Sequence, residues 1–131
     1  MTAALKTLLF SVLAVSGALL ALALVTSVAS WLPPLLGSTG GQLQLAWDLA
    51  FTVLGGVAAV GFAAWYAPAW PQLHGAALWL LVAAASVWAA WDMGNDFPRW
   101  FVLLLLLSLP VQLAVGLAIG RRRRRTATKS T

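Results

Sequence analysis

The chain consists of four long stretches of apolar residues, separated by short segments that carry proline, glycine or charged residues. A helix needs about 20 mainly apolar residues to cross the hydrocarbon core of a bilayer. The pattern predicts four such helices, over about residues 5–29, 43–66, 73–93 and 97–120. The predicted fold class is therefore all-α, an integral membrane antiparallel four-helix bundle, in which residues 1–120 form one transmembrane domain.

The first connection contains two consecutive prolines, Pro33 and Pro34. Proline has no backbone N–H group and clashes with the preceding helical turn. We therefore expect residues 30–42 to form a loop. The Trp-Leu-Pro-Pro-Leu-Leu stretch within it is apolar enough to lie in the headgroup layer, where tryptophan is favoured.

The other two connections are shorter. Pro68 and Pro71 predict a tight turn that also holds His74. At the last connection we expect Asp96 to cap the fourth helix and Pro98 to occupy its first turn, which are positions that these residue types favour.

The first apolar stretch has two interpretations. Lys6 followed by an uncharged run is also how a signal peptide begins, and Ser27-Val28-Ala29 is a possible cleavage site. A signal peptide's apolar region is about 7–15 residues long, however, and the run from Thr7 to Ala29 is longer. This favours a retained helix and leaves cleavage open.

Composition excludes a water-soluble fold. The chain is 62% hydrophobic and 8% charged, whereas soluble domains carry roughly 25% charged residues. It has no cysteine and no glutamate, so the carboxylate side chains are Asp48, Asp92 and Asp96. Thiolate chemistry and disulfides are excluded, and we expect no catalytic residue, no cofactor and no metal.

Basic residues predict the orientation. Short loops rich in Lys and Arg stay in the cytoplasm. Lys6 and a run of five arginines lie at opposite ends of an even number of spans, so both termini are expected to be cytoplasmic. We expect the run to bind anionic lipid headgroups and so to anchor the last helix, and not to bind nucleic acid. Residues 121–131 are expected to form a disordered tail. Its members are Arg121, Arg122, Arg123, Arg124 and Arg125.

Among the polar residues within the predicted helices, Asp48 and Gln112 are the candidates for a functional role. Intramembrane carboxylates are costly and tend to face a bundle interior. Asp48 could therefore be a proton, cation or ligand site. It lies near the start of its helix, so it could equally reach the headgroups or pair with Arg99. Gln112 lies beside Pro110 and could line a polar path or make an interhelical hydrogen bond.

A second polar group lies in and around the predicted outer connection. It contains Asp92, Asp96 and Arg99. Two carboxylates could bind a metal, but no His or Cys is nearby in the sequence. A network of salt bridges is the favoured interpretation.

Small residues recur at four-residue spacing in two of the predicted helices, which aligns them on one helix face. They are Gly55, Ala59 and Ala63 in the second helix and Gly116 and Gly120 in the fourth. Such faces allow either dimerisation or close packing within one chain.

The layout resembles a loose group of small bacterial membrane proteins with four predicted spans. The resemblance rests on four stretches, Gly55-Gly56, Pro71-Gln72-Leu73-His74, Phe97-Pro98-Arg99-Trp100 and Gly120 to Arg125. It implies a bacterial inner membrane and no activity. Our leading hypothesis is a non-enzymatic accessory or structural component that packs with itself or with a larger membrane complex. The alternative is an oligomeric transporter or channel subunit that uses Asp48 and Gln112.

Overall fold

A computed structural model describes residues 2–37 and 40–130, and in the last helix the side chains of Arg124 and Ala127 are outside that description. The described residues are 89% helical and contain no strand. The four helices are α1 (Ala3–Leu35), α2 (Gly41–Tyr66), α3 (Pro71–Met93) and α4 (Arg99–Lys129). Each is long and apolar enough to span a membrane. The predicted all-α class is therefore confirmed, with four helices that are apolar enough to span a membrane.

Helix α2 lies at the centre of the fold and contacts each of the other three helices, whereas α1 and α3 barely touch. Helices α1 and α2 are antiparallel, since Gly17 of α1 faces Phe62 of α2 and Leu22 of α1 faces Gly55 of α2. The N-terminal half of α1 therefore lies beside the C-terminal half of α2. This places Lys6 at the same end of the molecule as the arginine run, which we call the arginine end.

Helices α2 and α4 run parallel and in close contact. Gly56 lies against Gln112, Val60 against Gly116 and Ala64 against Gly120. All three pairs join residues 56 positions apart, which shows that the two helices are parallel and keep a constant register. In a regular up-down bundle the second and fourth helices lie diagonally opposite. Here small residues let them meet directly.

The buried core is built mainly from alanine. Ala18, Ala59, Ala63 and Leu78 form one fully buried cluster, and Phe62 packs against it. Because lipid is as apolar as these side chains, close packing and not exclusion from water stabilises such contacts. The predicted small-residue face of α2 thus lies inside the fold, between α1 and α3.

The predicted end of the first helix, and with it the loop expected over residues 30–42, differs from the structure. Helix α1 continues through Pro33 and Pro34 to Leu35. Proline's fixed φ is compatible with a helix, and its cost is the lost hydrogen bond to the carbonyl four residues earlier. Both prolines lie in the last turn, where the N–H groups of Leu36 and Gly37 still bond to the carbonyls of α1.

The prediction of a disordered tail after Gly120 is also corrected, because α4 continues to Lys129. Residues 121–129 contain no proline or glycine, and arginine is a good helix former. Thr126 donates its hydroxyl to the carbonyls of Arg122 and Arg123.

Asp96 does not cap α4, since Pro98 occupies the N-cap position. A proline pushes the residue before it out of the helical region, so the helix begins too late for Asp96 to reach it.

The turn between α2 and α3 is tight. Trp70 precedes α3 with a φ of 47°, in the left-handed region. Its carbonyl accepts the N–H groups of Leu73 and His74. His74 therefore belongs to the first turn of α3 and not to the connection.

Candidate functional site

A polar stripe runs along the first half of α2. Gln44, Asp48 and Thr52 follow one another at four-residue spacing and are all half-buried. The Gln44 amide Nε2 donates to Asp48 Oδ1 at 3.0 Å, and the Thr52 hydroxyl donates to the Asp48 carbonyl at 2.7 Å. Asp48 thus finds a partner within its own helix, and the predicted pairing with Arg99 is not formed. The carboxylate is left on a part-buried surface, where a cation or a proton donor could reach it.

Gln112 lies deeper, in the contact between α2 and α4, and is only 1% exposed. Its Nε2 donates to the Ser108 hydroxyl at 3.0 Å, while its Oε1 is buried without a hydrogen-bond partner. The amide lies against Gly56, where any side chain would occupy the same space. The missing side chain at Gly56 therefore makes the room that this amide fills.

The polar stripe and the Gln112 amide lie along the same face of α2. Gly56 follows Thr52 by one further step of four residues, so the stripe leads along the helix towards the buried Gln112 amide. Carboxylate, hydroxyl and amide oxygens all accept hydrogen bonds or bind cations. The chemistry that this arrangement supports is contact with a proton donor or a cation, from one end of the fold to its interior.

Pro110 is exposed on the side of α4 opposite Gln112, and α3 packs against this side of α4. The indole Nε1 of Trp79 donates to the carbonyl of Leu109 at 2.7 Å, which joins α3 to α4. The missing N–H of Pro110 leaves the carbonyl of Leu106 without its helical partner. Ser108 donates its hydroxyl to the carbonyl of Leu105 at 2.6 Å, and not to the freed carbonyl of Leu106.

The predicted outer cluster does not come together. Asp92, Asp96 and Arg99 are all exposed. Within the described residues they form no ion pair with one another. The described part of the chain also contains no group of three His, Cys, Asp or Glu side chains that could hold a metal. The predicted salt-bridge network among Asp92, Asp96 and Arg99 is thus not formed. At the same end of the described chain, the Trp100 indole donates to Gln42 Oε1.

The arginine end is more organised than the sequence predicted. The Arg123 guanidinium donates to the Trp65 carbonyl, in the last turn of α2. It also lies 5.0 Å from the ring centre of Tyr66 and 5.5 Å from that of Trp65. A cation at a helix C-terminus is favoured by the helix dipole. Arg121 donates to Gln72 Oε1 of α3 at 3.4 Å. Two members of the run thus fasten α4 to its neighbours.

Sequence reasoning missed three of these contacts, those of Gln44, Trp79 and Arg123. The Gln44–Asp48 pair was detectable, because amide and carboxylate at a spacing of four meet on a helix. Trp79 was not, since nothing distinguishes it from the other seven tryptophans until its indole is placed beside Leu109. Arg123 was hidden in a run in which all members look equivalent.

Comparisons of this chain with protein-family models, with curated proteins and with solved structures found no match.

Proposed function

We propose that this protein is a non-enzymatic accessory or structural component of a bacterial inner membrane, which acts by packing with itself or into a larger membrane complex. The observation that carries the proposal is the outer surface of α3. In the most apolar stretches of both α1 and α3 only 11% of residues are buried, compared with 44% in α2. What sets α3 apart is a surface lined by three tryptophans.

We call this surface the α3 tryptophan face. It carries a shallow, open groove of about 590 Å³ that is lined by alanines, aliphatic side chains and tryptophans of α3 alone. Small residues let another helix approach closely, and tryptophan supplies large rigid contact area. Its lining residues are Trp79, Leu80, Ala83, Ala84, Val87, Trp88 and Trp91.

The glycine faces are less suited to binding a partner. Gly55 lies against α1, and Gly116 and Gly120 lie against α2. All three are buried in the chain's own helix contacts. A partner would therefore use the α3 tryptophan face and not the glycine pairs of α2 and α4.

The chain's lack of cysteine allows a clean test. A single cysteine at Ala84 should form disulfide-linked dimers in membrane vesicles if α3 faces a second copy. A single cysteine at Leu20, which is 62% exposed on α1, is the matched control. If Ala84→Cys crosslinks no faster than Leu20→Cys, and no stable partner copurifies in mild detergent, the proposal fails.

The proposed orientation places both termini in the cytoplasm. It is supported by the position of Lys6 at the arginine end, together with the preference of basic residues for the cytoplasmic side. A C-terminal alkaline phosphatase fusion should then be inactive and a C-terminal green fluorescent protein should be bright. The reverse pair of results would refute the orientation.

The polar stripe favours a second candidate, an oligomeric transporter or channel subunit. In this candidate function, the Asp48 carboxylate and the buried Gln112 oxygen would bind protons or cations along a path through the protein. Asp48→Asn should abolish flux in liposomes, while Asp92→Asn, which removes an exposed carboxylate, should not. Absence of flux in the unmodified protein, or equal flux in Asp48→Asn, rules the candidate out.

A further inference from the structure

A groove of about 380 Å³ lies between α3 and α4 and reaches the arginine end. Its walls are apolar except at one end, where a guanidinium lies. The lining residues are Trp79, Pro110, Leu113, Ala114, Leu117 and Arg121. We propose that this groove binds one anionic phospholipid, with an acyl chain along the apolar walls and the phosphate at Arg121.

The groove exists because of specific residues. Gly75 lets α3 approach α4, since Leu117 occupies the space where a side chain at Gly75 would lie. One turn further along α3, the Trp79 indole bonds to the Leu109 carbonyl and holds the two helices together at the inner end of the groove. Ala114 lies between these two points and is too small to fill the space. These contacts leave a groove between α3 and α4 that is open to the surrounding lipid.

Its length matches one leaflet of a bilayer. Pro110 and Arg121 are eleven residues apart, which at 1.5 Å per residue is about 16 Å along α4. Half of the hydrocarbon thickness of a bilayer is about 15 Å. A lipid whose headgroup lies at Arg121 would therefore place its acyl chain along the whole groove.

The charge at the open end selects the headgroup. Arg121 uses one N–H for Gln72, so its remaining N–H groups are available to a phosphate, which arginine binds well. Gln72 belongs to the first turn of α3, whose N-terminus adds partial positive charge. No carboxylate side chain competes, because Asp48, Asp92 and Asp96 belong to the opposite halves of their helices or to the far connection.

The test uses the full chain in a nonionic detergent and native mass spectrometry with phosphatidylglycerol and phosphatidylcholine. The unmodified protein should retain one phosphatidylglycerol in preference to phosphatidylcholine. Arg121→Gln should weaken phosphatidylglycerol binding about tenfold, the value of one charged hydrogen bond to the phosphate. Arg122→Gln removes the same charge from the same run and should change binding less than twofold.

Two further arms separate the groove from a general attraction of charge. Ala114→Phe fills the groove at an exposed position and should remove the retained lipid without changing the circular dichroism spectrum. Inorganic phosphate, which has no acyl chain, should not compete. Equal losses in Arg121→Gln and Arg122→Gln, unchanged binding in Ala114→Phe, or full competition by phosphate would each overturn the proposal.

Discussion

The contact between α2 and α4 predicts opposite outcomes for two glycine-to-alanine substitutions. At Gly116 an added methyl group would lie 2.6 Å from both Cβ and Cγ1 of Val60 and 3.2 Å from the backbone nitrogen of Gly61. At Gly61, on the other side of the same contact, it would lie 3.5 Å from the nearest atoms, those of Ile119. The second distance is an ordinary van der Waals contact and the first is a clash.

The size of the effect follows from these distances. To reach an ordinary contact of about 3.4 Å, Gly116→Ala must move the helices about 0.8 Å apart, and a gap of that size forfeits a quarter to a half of each dispersion contact it opens. Overpacking of this kind costs about 1–3 kcal/mol. Gly61→Ala has no such cost and gains up to about 1 kcal/mol of helix propensity.

The assay is thermal or denaturant-induced unfolding in mild detergent, followed by circular dichroism. We expect Gly116→Ala to unfold more readily than the unmodified protein and Gly61→Ala to be equal or more stable. Both variants replace a buried glycine at the same interface, so differences in expression or detergent affect them alike. If Gly116→Ala is as stable as Gly61→Ala, the parallel register of α2 and α4 is wrong.

Three further predictions follow from single side chains. Trp79→Phe keeps an aromatic ring but loses the bond to the Leu109 carbonyl, and should lower the free energy of unfolding by about 0.6 kcal/mol, the mean for such bonds in membrane proteins. Arg123→Ala removes the cation beside the Trp65 carbonyl and should cost about 0.5 kcal/mol, an effect that salt reduces in the unmodified protein. Gln112→Leu exchanges an amide with an unpaired buried oxygen for an apolar side chain of similar size, and should unfold no more readily than the unmodified protein.

Matched variants control the first two of these measurements. Trp88→Phe alters an exposed tryptophan on the same helix and should leave stability unchanged. Arg122→Ala removes an arginine one residue away. Equal effects within either pair would contradict the assigned contacts. For Gln112→Leu, a loss of more than about 2 kcal/mol would show that the amide oxygen has a partner that stabilises the fold.

The sequence predicted the helices well where strong local signals bound them. Helix α2 was expected over 43–66 and spans Gly41–Tyr66, because Trp65, Tyr66 and Pro68 mark its end. The errors arose where a local rule was applied without its context. Two prolines in a last turn cost less than two prolines in a helix interior, and an arginine run is compatible with a helix when no breaker interrupts it.

The arrangement of the helices could not be predicted in the same way. Gly55 and Gly56 are adjacent and equally small, yet one faces α1 and the other faces α4. A one-dimensional pattern of small residues indicates that close contacts exist but does not say which helix occupies each. For the same reason the sequence identified Asp48 and Gln112 as the polar residues of interest but could not show that Gln44, Thr52 and Gly56 connect them.

The most direct test of the account is the side of the membrane on which each connection lies. Because the chain has no cysteine, single cysteines at Thr2, Ala69 and Asn95 can be labelled with a membrane-impermeant maleimide in sealed vesicles of either orientation. Four crossings predict that Thr2 and Ala69 are labelled from one side and Asn95 from the other. Labelling of Thr2 and Ala69 from opposite sides, or of all three from the same side, would contradict the four-span fold.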